Sequence, residues 1–339
     1  MEMRLALIGF GGVNRALAKL LLDRGQALSS AGHAFKIVAV CDKYLGQVVV
    51  ADGINLAPLS VVPSESGAFA SLAGGSALCD PFDLLARSRA DVAVEATFSN
   101  PVNGEPALSH CRAAIELGMH VITTNKGPVA FSGRELTSLA AEHGRKFLYE
   151  GTVMSGTPVI RLANECLAGD KIKGFRGILN GTANFVLGRI EQGLTMQKSI
   201  AEAQALGYAE ANPDADLKGW DVALKVTILA NALMGMSLTP RDITCEGISG
   251  LSEETIREAL QRGSRWKLIG QAMRASDGAI VASVLPQLLP ADHPLSGISG
   301  PTNALTFETD LLGSVTISGP GAGKFETAYA ILSDLLHLK

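Results

Sequence analysis

Residues 4–8, Arg-Leu-Ala-Leu-Ile, run straight into Gly9-Phe10-Gly11-Gly12, and from Val13 the apolar positions Leu17, Leu20 and Leu21 recur at helical spacing as far as Gly25. A buried strand, a glycine-rich turn and a helix in immediate succession open a βαβ unit. Gly9 permits the tight turn, and Gly11 lets the main chain come close to a pyrophosphate. The helix beyond offers free N–H groups and the positive end of its dipole. The pattern reads Gly-x-Gly-x-x-Asn, with Asn14 where a third glycine is usual, which predicts slightly looser packing of helix on strand. A purely structural turn is the alternative, and the flanking strand and helix weigh against it.

Further strands are expected at 36–41, 91–96 and 119–123, with a helix at 105–117 between the last two. Alternation of this kind predicts an α/β fold, a Rossmann-type doubly wound parallel sheet. Residues 43–80, rich in Gly, Ser and Pro, are expected to be loops plus a short helix. From about 150 the texture changes. A Gly/Ser/Thr-rich turn at 151–157 leads to helices near 158–168, 182–206, 218–235 and 252–262. Strands are expected near 174–179, 279–285 and 313–318, with a closing helix at 322–337. The expected domains are 1–149 for a dinucleotide, 150–310 as an inserted α+β lobe, and 311–339 as a segment returning to the first.

Composition removes several classes of function. The net charge of -4 has no long block of either sign, so neither nucleic acid nor an anionic membrane is an expected partner. The cysteines at 41, 79, 111, 166 and 245 are odd in number and lack C-x-x-C spacing, which predicts a reduced compartment and no zinc site. The N-terminus shows no signal peptide and no stretch reads as a spanning helix, so a cytoplasmic location is expected.

Asp42 ends the second strand, where a carboxylate usually accepts from the adenosine ribose hydroxyls and repels a 2′-phosphate. Lys43 follows and offsets that repulsion, and the spacing from Gly9 is long. NAD is expected, with NADP use open; an ordinary strand-end turn is the alternative for Asp42. The densest chemistry lies in 207–225, where Glu210, Asp214, Asp216 and Asp221 stand with Lys218 and Lys225 around Pro213. Asp221 and Lys225, four apart, share a helical face. Lys225 is the only charge from Val222 through Pro240. A lysine in so apolar a helix is costly unless paired, and its pKa can be drawn toward neutrality. The bland alternative is an exposed ion pair. Lys126, after the fourth strand, is expected at the carboxyl edge of the sheet, where such folds bind ligands; a surface-loop lysine is its alternative.

At these residues the chain resembles the homoserine dehydrogenases. The matching pieces are Gly9–Val13, Thr124-Asn125-Lys126-Gly127-Pro128, Glu150–Val153, Ile178–Phe185, Gly207–Lys225 and Gly319–Gly323. The resemblance implies NAD(P)-dependent interconversion of aspartate 4-semialdehyde and homoserine, in threonine and methionine biosynthesis. It makes the central lobe the substrate-binding, catalytic and dimerisation domain of a homodimer. It implies Lys225 as proton donor, Lys126 as the second lysine near nicotinamide and substrate, and Asp221 as the residue orienting Lys225. Glu210, Asp216 and Asp221 would hold the substrate ammonium, with Gly181, Thr182 and Tyr208 lining the pocket. Gly9, Phe10, Gly11, Gly12, Val13, Asn14, Asp42, Lys43, Thr97, Lys126 and Gly323 fall at cofactor positions. Glu150 with the carbonyls of Val153, Ser155 and Thr157 matches a sodium-type cation site, from which Met154-Ser155 departs, since relatives have small residues there. The chain lacks the ACT and kinase domains of some relatives, so threonine inhibition through such a domain is not expected. Two other readings are a paralogue acting on another small amino alcohol and, in a different class, a catalytically silent NAD(P)-binding regulator. A DNA-binding regulator is disfavoured by the acidic balance.

Overall fold

The computed structural model describes residues 2–275 and 278–338. The chain forms two compact units, one built from the residues up to Gly156 with those from Gly323 onward, the other from Thr157–Ala322. In the first, chain order runs β1 (Glu2–Ile8), α1 (Gly12–Ser30), β2 (Ala34–Asp42), β3 (Gly46–Val49), α2 (Leu56–Ser60), β4 (Gly75–Ser76) and α3 (Pro81–Ser88). It continues with β5 (Val92–Glu95), α4 (Ala107–Glu116), β6 (His120–Thr123), α5 (Lys126–Glu142) and β7 (Phe147–Leu148). The seven strands are ordered β4-β3-β2-β1-β5-β6-β7. The five from β2 to β7 along that order are parallel. The order reverses between β1 and β5, which creates the switch point where such sheets bind ligands. β1, β5 and β6 are apolar because both faces of the sheet are covered.

The stretch 43–80 holds more than loops. β3 and β4 extend the sheet as antiparallel edge strands. Gly46, at φ +100°, makes the sharp return from β2, and a Cβ there would lie 2.0 Å from the Ser76 carbonyl oxygen. The segment after β6 is also helical. Pro128 sits in the first turn of α5, where a missing N–H costs nothing, and Asn125 caps that turn by accepting from the Gly127 N–H at 3.0 Å.

The second unit runs α6 (Val159–Arg161), β8 (Ile172–Ile178), α7 (Gly181–Glu191), α8 (Met196–Ala205), α9 (Asp214–Leu217) and α10 (Trp220–Met234). Then come β9 (Thr244–Cys245), α11 (Glu253–Gln261), β10 (Ser264–Arg274), β11 (Ile280–Pro290), β12 (Thr302–Thr309) and β13 (Ser314–Pro320). Its sheet is ordered β13-β12-β8-β10-β11-β9, antiparallel except for β9 on β11. One face carries Ile178, Ile269, Leu289, Leu295 and Ala304. The other receives α10, whose Val222 and Val226 lie where a Cβ on Gly270 would project. The helix expected at 158–168 is a single α-turn followed by a π-turn at 162–166.

Helix α12 (Lys324–Leu336) returns to the first unit, where Ala328, Ile331, Leu332 and Leu335 share a core with Leu17 and Leu21 of α1. The returning segment is shorter than 311–339, because Ser314–Pro320 pairs with β12 along its whole length and belongs to the second sheet. The second unit likewise begins at Thr157 rather than at 150, since Glu150–Thr152 sits against the first unit: the Glu150 N–H donates to the Asp334 carboxylate at 3.1 Å.

Candidate active site

The glycine-rich turn is pinned by two of its own amides, the Gly9 N–H on the Cys41 carbonyl at 2.8 Å and the Phe10 N–H on the Asp42 carboxylate at 2.9 Å, just ahead of the start of α1. Gly9, at φ +80°, brings the end of β1 against β5, and a Cβ there would lie 2.9 Å from the Ala96 carbonyl oxygen. Nothing lies within 4 Å of where a Cβ on Gly11 would be, so that position is space for a ligand. This is a direct fit to a dinucleotide pyrophosphate at the start of α1. Asn14 does not loosen the packing as expected. It is fully buried, and its Nδ2 donates to the Gly9 carbonyl at 2.6 Å, tying helix to turn where glycine would leave them merely adjacent.

Phe10 turns its ring into the core, 5.5 Å from the Phe69 ring, and the Arg15 guanidinium lies over it. Its N–H is committed to Asp42, and its carbonyl accepts from Arg15 Nε at 3.1 Å. Asp42 accepts from the N–H groups of Phe10 (2.9 Å), Tyr44 (2.9 Å) and Leu45 (3.3 Å). An ionised carboxylate offers about four acceptor sites, so Asp42 first fixes the turn and retains capacity for a ribose hydroxyl. Lys43 reaches over the Tyr44 ring. Val13 packs its partly buried side chain onto the core from the first turn of α1. Gly323, at φ +138°, precedes α12. The next residue went unnoticed in the sequence: the Lys324 stem covers Gly12, with its Cδ 2.9 Å from where a Cβ would stand, so a cation borders the turn.

At the carboxyl ends of β5 and β6 lies a polar network that the sequence reading also missed. Glu95 is fully buried. Its Oε1 accepts from the Thr97 N–H at 3.1 Å and from the Thr97 hydroxyl, and its Oε2 from the Thr123 hydroxyl at 3.2 Å. His110, also buried, brings Nδ1 to 3.8 Å from Oε1. Asn125 donates from Nδ2 to the Thr97 and Phe98 carbonyls, and the Lys126 N–H donates to the Ser99 hydroxyl at 3.2 Å. Lys126 is therefore the half-buried first residue of a capped helix, not a residue on a free loop.

The second unit assembles the other lysine. Lys225 is 6% exposed, and its Nζ donates to the Asp221 carboxylate at 2.7 Å and to the Leu179 carbonyl at 2.6 Å. An exposed i,i+4 pair does not describe it, because the ammonium is inside, with two of its three N–H groups given to acceptors. Asn180 caps α7 through Oδ1, which accepts from the Ala183 N–H. Its Nδ2 bridges Asp216 (2.6 Å) and Asp221 (2.9 Å). One asparagine thus holds both acids beside the lysine. The Thr182 hydroxyl donates to the Tyr208 carbonyl at 2.5 Å, and the Tyr208 ring meets Phe185 edge-on at 5.1 Å. Gly181 lies against Pro301, where a Cβ would be 2.5 Å from the carbonyl oxygen. Glu210 is not drawn into this cluster; it stays exposed, with its carbonyl accepting from Gln204.

Around the turn matched to a cation site, Glu150 and Ser155 are buried, and Met154 and Ser155 take left-handed φ of +55° and +54°. The Ser155 hydroxyl meets that of Thr327 at 2.8 Å, while Thr157 belongs to the second unit and donates to the Pro320 carbonyl. Among the described residues no cluster of His, Cys, Asp and Glu could hold a metal, and no helix is long and apolar enough to cross a membrane.

Comparison with known proteins agrees with this division of labour. Residues 9–150 match the model of the homoserine dehydrogenase NAD-binding domain, and residues 158–336 the model of homoserine dehydrogenase itself. The NAD(+)-dependent homoserine dehydrogenase of Pseudomonas canavaninivorans is 54% identical over 99% of this chain and 96% of its own. That of Methanocaldococcus jannaschii is 40% identical over 99% and 98%. A hyperthermophilic archaeal homoserine dehydrogenase in complex with NADPH superposes with a TM-score of 0.84 at 27% identity, covering 100% of this chain and 98% of the other. With both units matched from end to end, the chain belongs to the homoserine dehydrogenase family.

Proposed function

We propose that this protein interconverts L-homoserine and L-aspartate 4-semialdehyde, with NAD preferred and NADP accepted. The observation that carries the reading is the buried Lys225 ammonium, held between Asp221 and the Leu179 carbonyl. The dinucleotide, when bound, supplies or takes the hydride. Lys225 supplies the matching proton: it stabilises the alkoxide that develops on the aldehyde oxygen and protonates it, and it takes the proton back when the alcohol is oxidised. A positioned general acid of this kind is worth roughly 10²–10⁴-fold in rate. Asp221 orients the lysine, and Asp216 with Asp221 offers carboxylates to the substrate ammonium. Glu210 joins them through movement of its exposed turn. The pocket wall is Gly181, Thr182 and Tyr208, and Lys126 serves the cofactor side.

The Gly9–Val13 turn, Asn14, Thr97 and Gly323 hold the dinucleotide, and the Asp42 charge, tempered by Lys43, sets the preference for NAD. The carboxylate of Glu150 and the carbonyls of Val153 and Ser155 suit a hard monovalent cation. Cytoplasmic location, a role in threonine and methionine biosynthesis and a homodimer complete the proposal. The edge strand β13 supports the last, because it leaves one side of the second sheet unpaired. Identity along the whole chain to homoserine dehydrogenases disfavours a silent regulator. The test is absorbance at 340 nm with homoserine and either NAD or NADP. Reduction of NAD that is faster than that of NADP is expected, and its absence with both would refute the reading.

A further inference from the structure

We propose that Glu95 biases the cofactor site toward the oxidised dinucleotide, its buried carboxylate favouring a positively charged nicotinamide over the neutral ring left once hydride has been accepted. This rests on the dehydrogenase reading above and adds to it a determinant of redox preference. The switch point lies between β1 and β5, and Asp42 at the end of β2 marks the adenosine side. The carboxyl end of β5 therefore belongs to the half of the fold that takes the nicotinamide. Glu95 stands at that end, two residues before Thr97.

Both of its oxygens accept hydrogen bonds. Thr97 gives an N–H and a hydroxyl, and the Thr123 hydroxyl shares its one hydrogen between Oε2 at 3.2 Å and the Glu95 carbonyl at 3.0 Å. That donor set suits an ionised carboxylate. No lysine or arginine bridges it among the described residues; the nearest cationic candidate is His110, whose Nδ1 lies 3.8 Å away with no hydrogen-bond partner. Hydrogen bonds to threonines spread the charge without cancelling it. In a water-poor strand end the field of such a carboxylate reaches a ligand ring over several ångströms. The same network holds the Thr97 and Asn125 main chain, so Glu95 is also a positioning residue. That role alone acts on both redox forms equally.

The experiment separates the two. Dissociation constants for NAD⁺ and NADH are measured by calorimetry for the wild type and for Glu95→Gln, which keeps the shape and removes the charge. For an opposite charge at ~8–10 Å and an effective dielectric of about 20–40, NAD⁺ affinity should fall by roughly 4- to 30-fold relative to NADH. Equal weakening of both forms, or no change, overturns the proposal while leaving the dehydrogenase reading intact. A wild type that binds neither form overturns both. Should Glu95→Gln fail to fold, His110→Gln decides. Removing the one nearby base leaves the carboxylate's preference for NAD⁺ undiminished or stronger, and a weaker preference is the contrary result.

Discussion

Lys225 and Lys267 are both buried lysines, and their partners give them opposite fates. Lys225 faces a carboxylate, so its charge is matched within the fold. Lys225→Ala should lower kcat by ~10²–10⁴-fold while cofactor dissociation constants stay within about twofold. Stopped-flow hydride transfer and equilibrium titration would read the two separately, and retention of more than about a tenth of kcat would remove the lysine from the mechanism. Lys267, 1% exposed, donates instead to two neutral oxygens, Asn184 Oδ1 at 2.9 Å and the Ile298 carbonyl at 2.7 Å. Burial lowers its pKa from 10.5 to about 8, against the pull of Glu191. Below pH 8 both folded and unfolded chains hold this proton, and the fold bears the full cost of burying it. Between about 8 and 10.5 the unfolded chain binds more protons, so this residue's contribution to stability rises with pH across that window. The total is on the order of 3 kcal/mol at most. Denaturant midpoints at pH 8, 9 and 10 should show a rise in wild type relative to Lys267→Met; parallel curves would contradict the assignment.

At the scale of elements, the ends of strands and the starts of helices carry the chemistry. Asn180 follows β8, caps α7 and joins Asp216 to Asp221. Asn180→Ala should cost about 1–2 kcal/mol of stability through the lost cap, and it should raise the KM for homoserine by releasing the two acids. An unchanged KM beside a lowered unfolding midpoint would reduce Asn180 to a cap alone. Much of this level was legible beforehand. The β1–turn–α1 unit, β2, β5, β6, α10 and α12 follow from apolar runs of period 3.6 or from short continuous strands. What escaped has physical causes. α5 opens on Lys-Gly-Pro, which reads as a breaker until Pro128 is seen to occupy a first turn. β10 carries Arg265, Lys267 and Gln271 among its apolar residues, and the burial of Lys267 hides the strand period. Glu95 escaped because the hydroxyls that hold it, on Thr97 beyond β5 and on Thr123 at the end of β6, are brought together only by the parallel sheet. Asn303 escaped as well: it is fully buried with neither amide atom partnered among the described residues.

For the whole molecule the governing fact is that the first unit is discontinuous. Truncation after Ala322 removes α12 and the residues beyond it, and with them five core residues, Ala328, Ile331, Leu332, Leu335 and Leu338. Each large aliphatic side chain contributes about 1.5–3 kcal/mol when fully buried, a substantial share of the stability of an ordinary domain. The truncated protein should lose NAD⁺ binding and the calorimetric transition that NAD⁺ shifts upward in the intact chain. Binding that survives truncation would show that the sheet closes without the last helix.

The partnership of α1 with α12 also sets an order in time. A ribosome delivers α1 early, yet the helix that covers Leu17 and Leu21 emerges only once residues 324–336 have been made. Throughout translation of some three hundred intervening residues that greasy stripe must stay wet, be shielded by a chaperone, or rest on a temporary neighbour. The nucleotide-binding half, although first to be made, is expected to be the last to mature; arrested nascent chains lacking the C-terminus should remain protease-sensitive there.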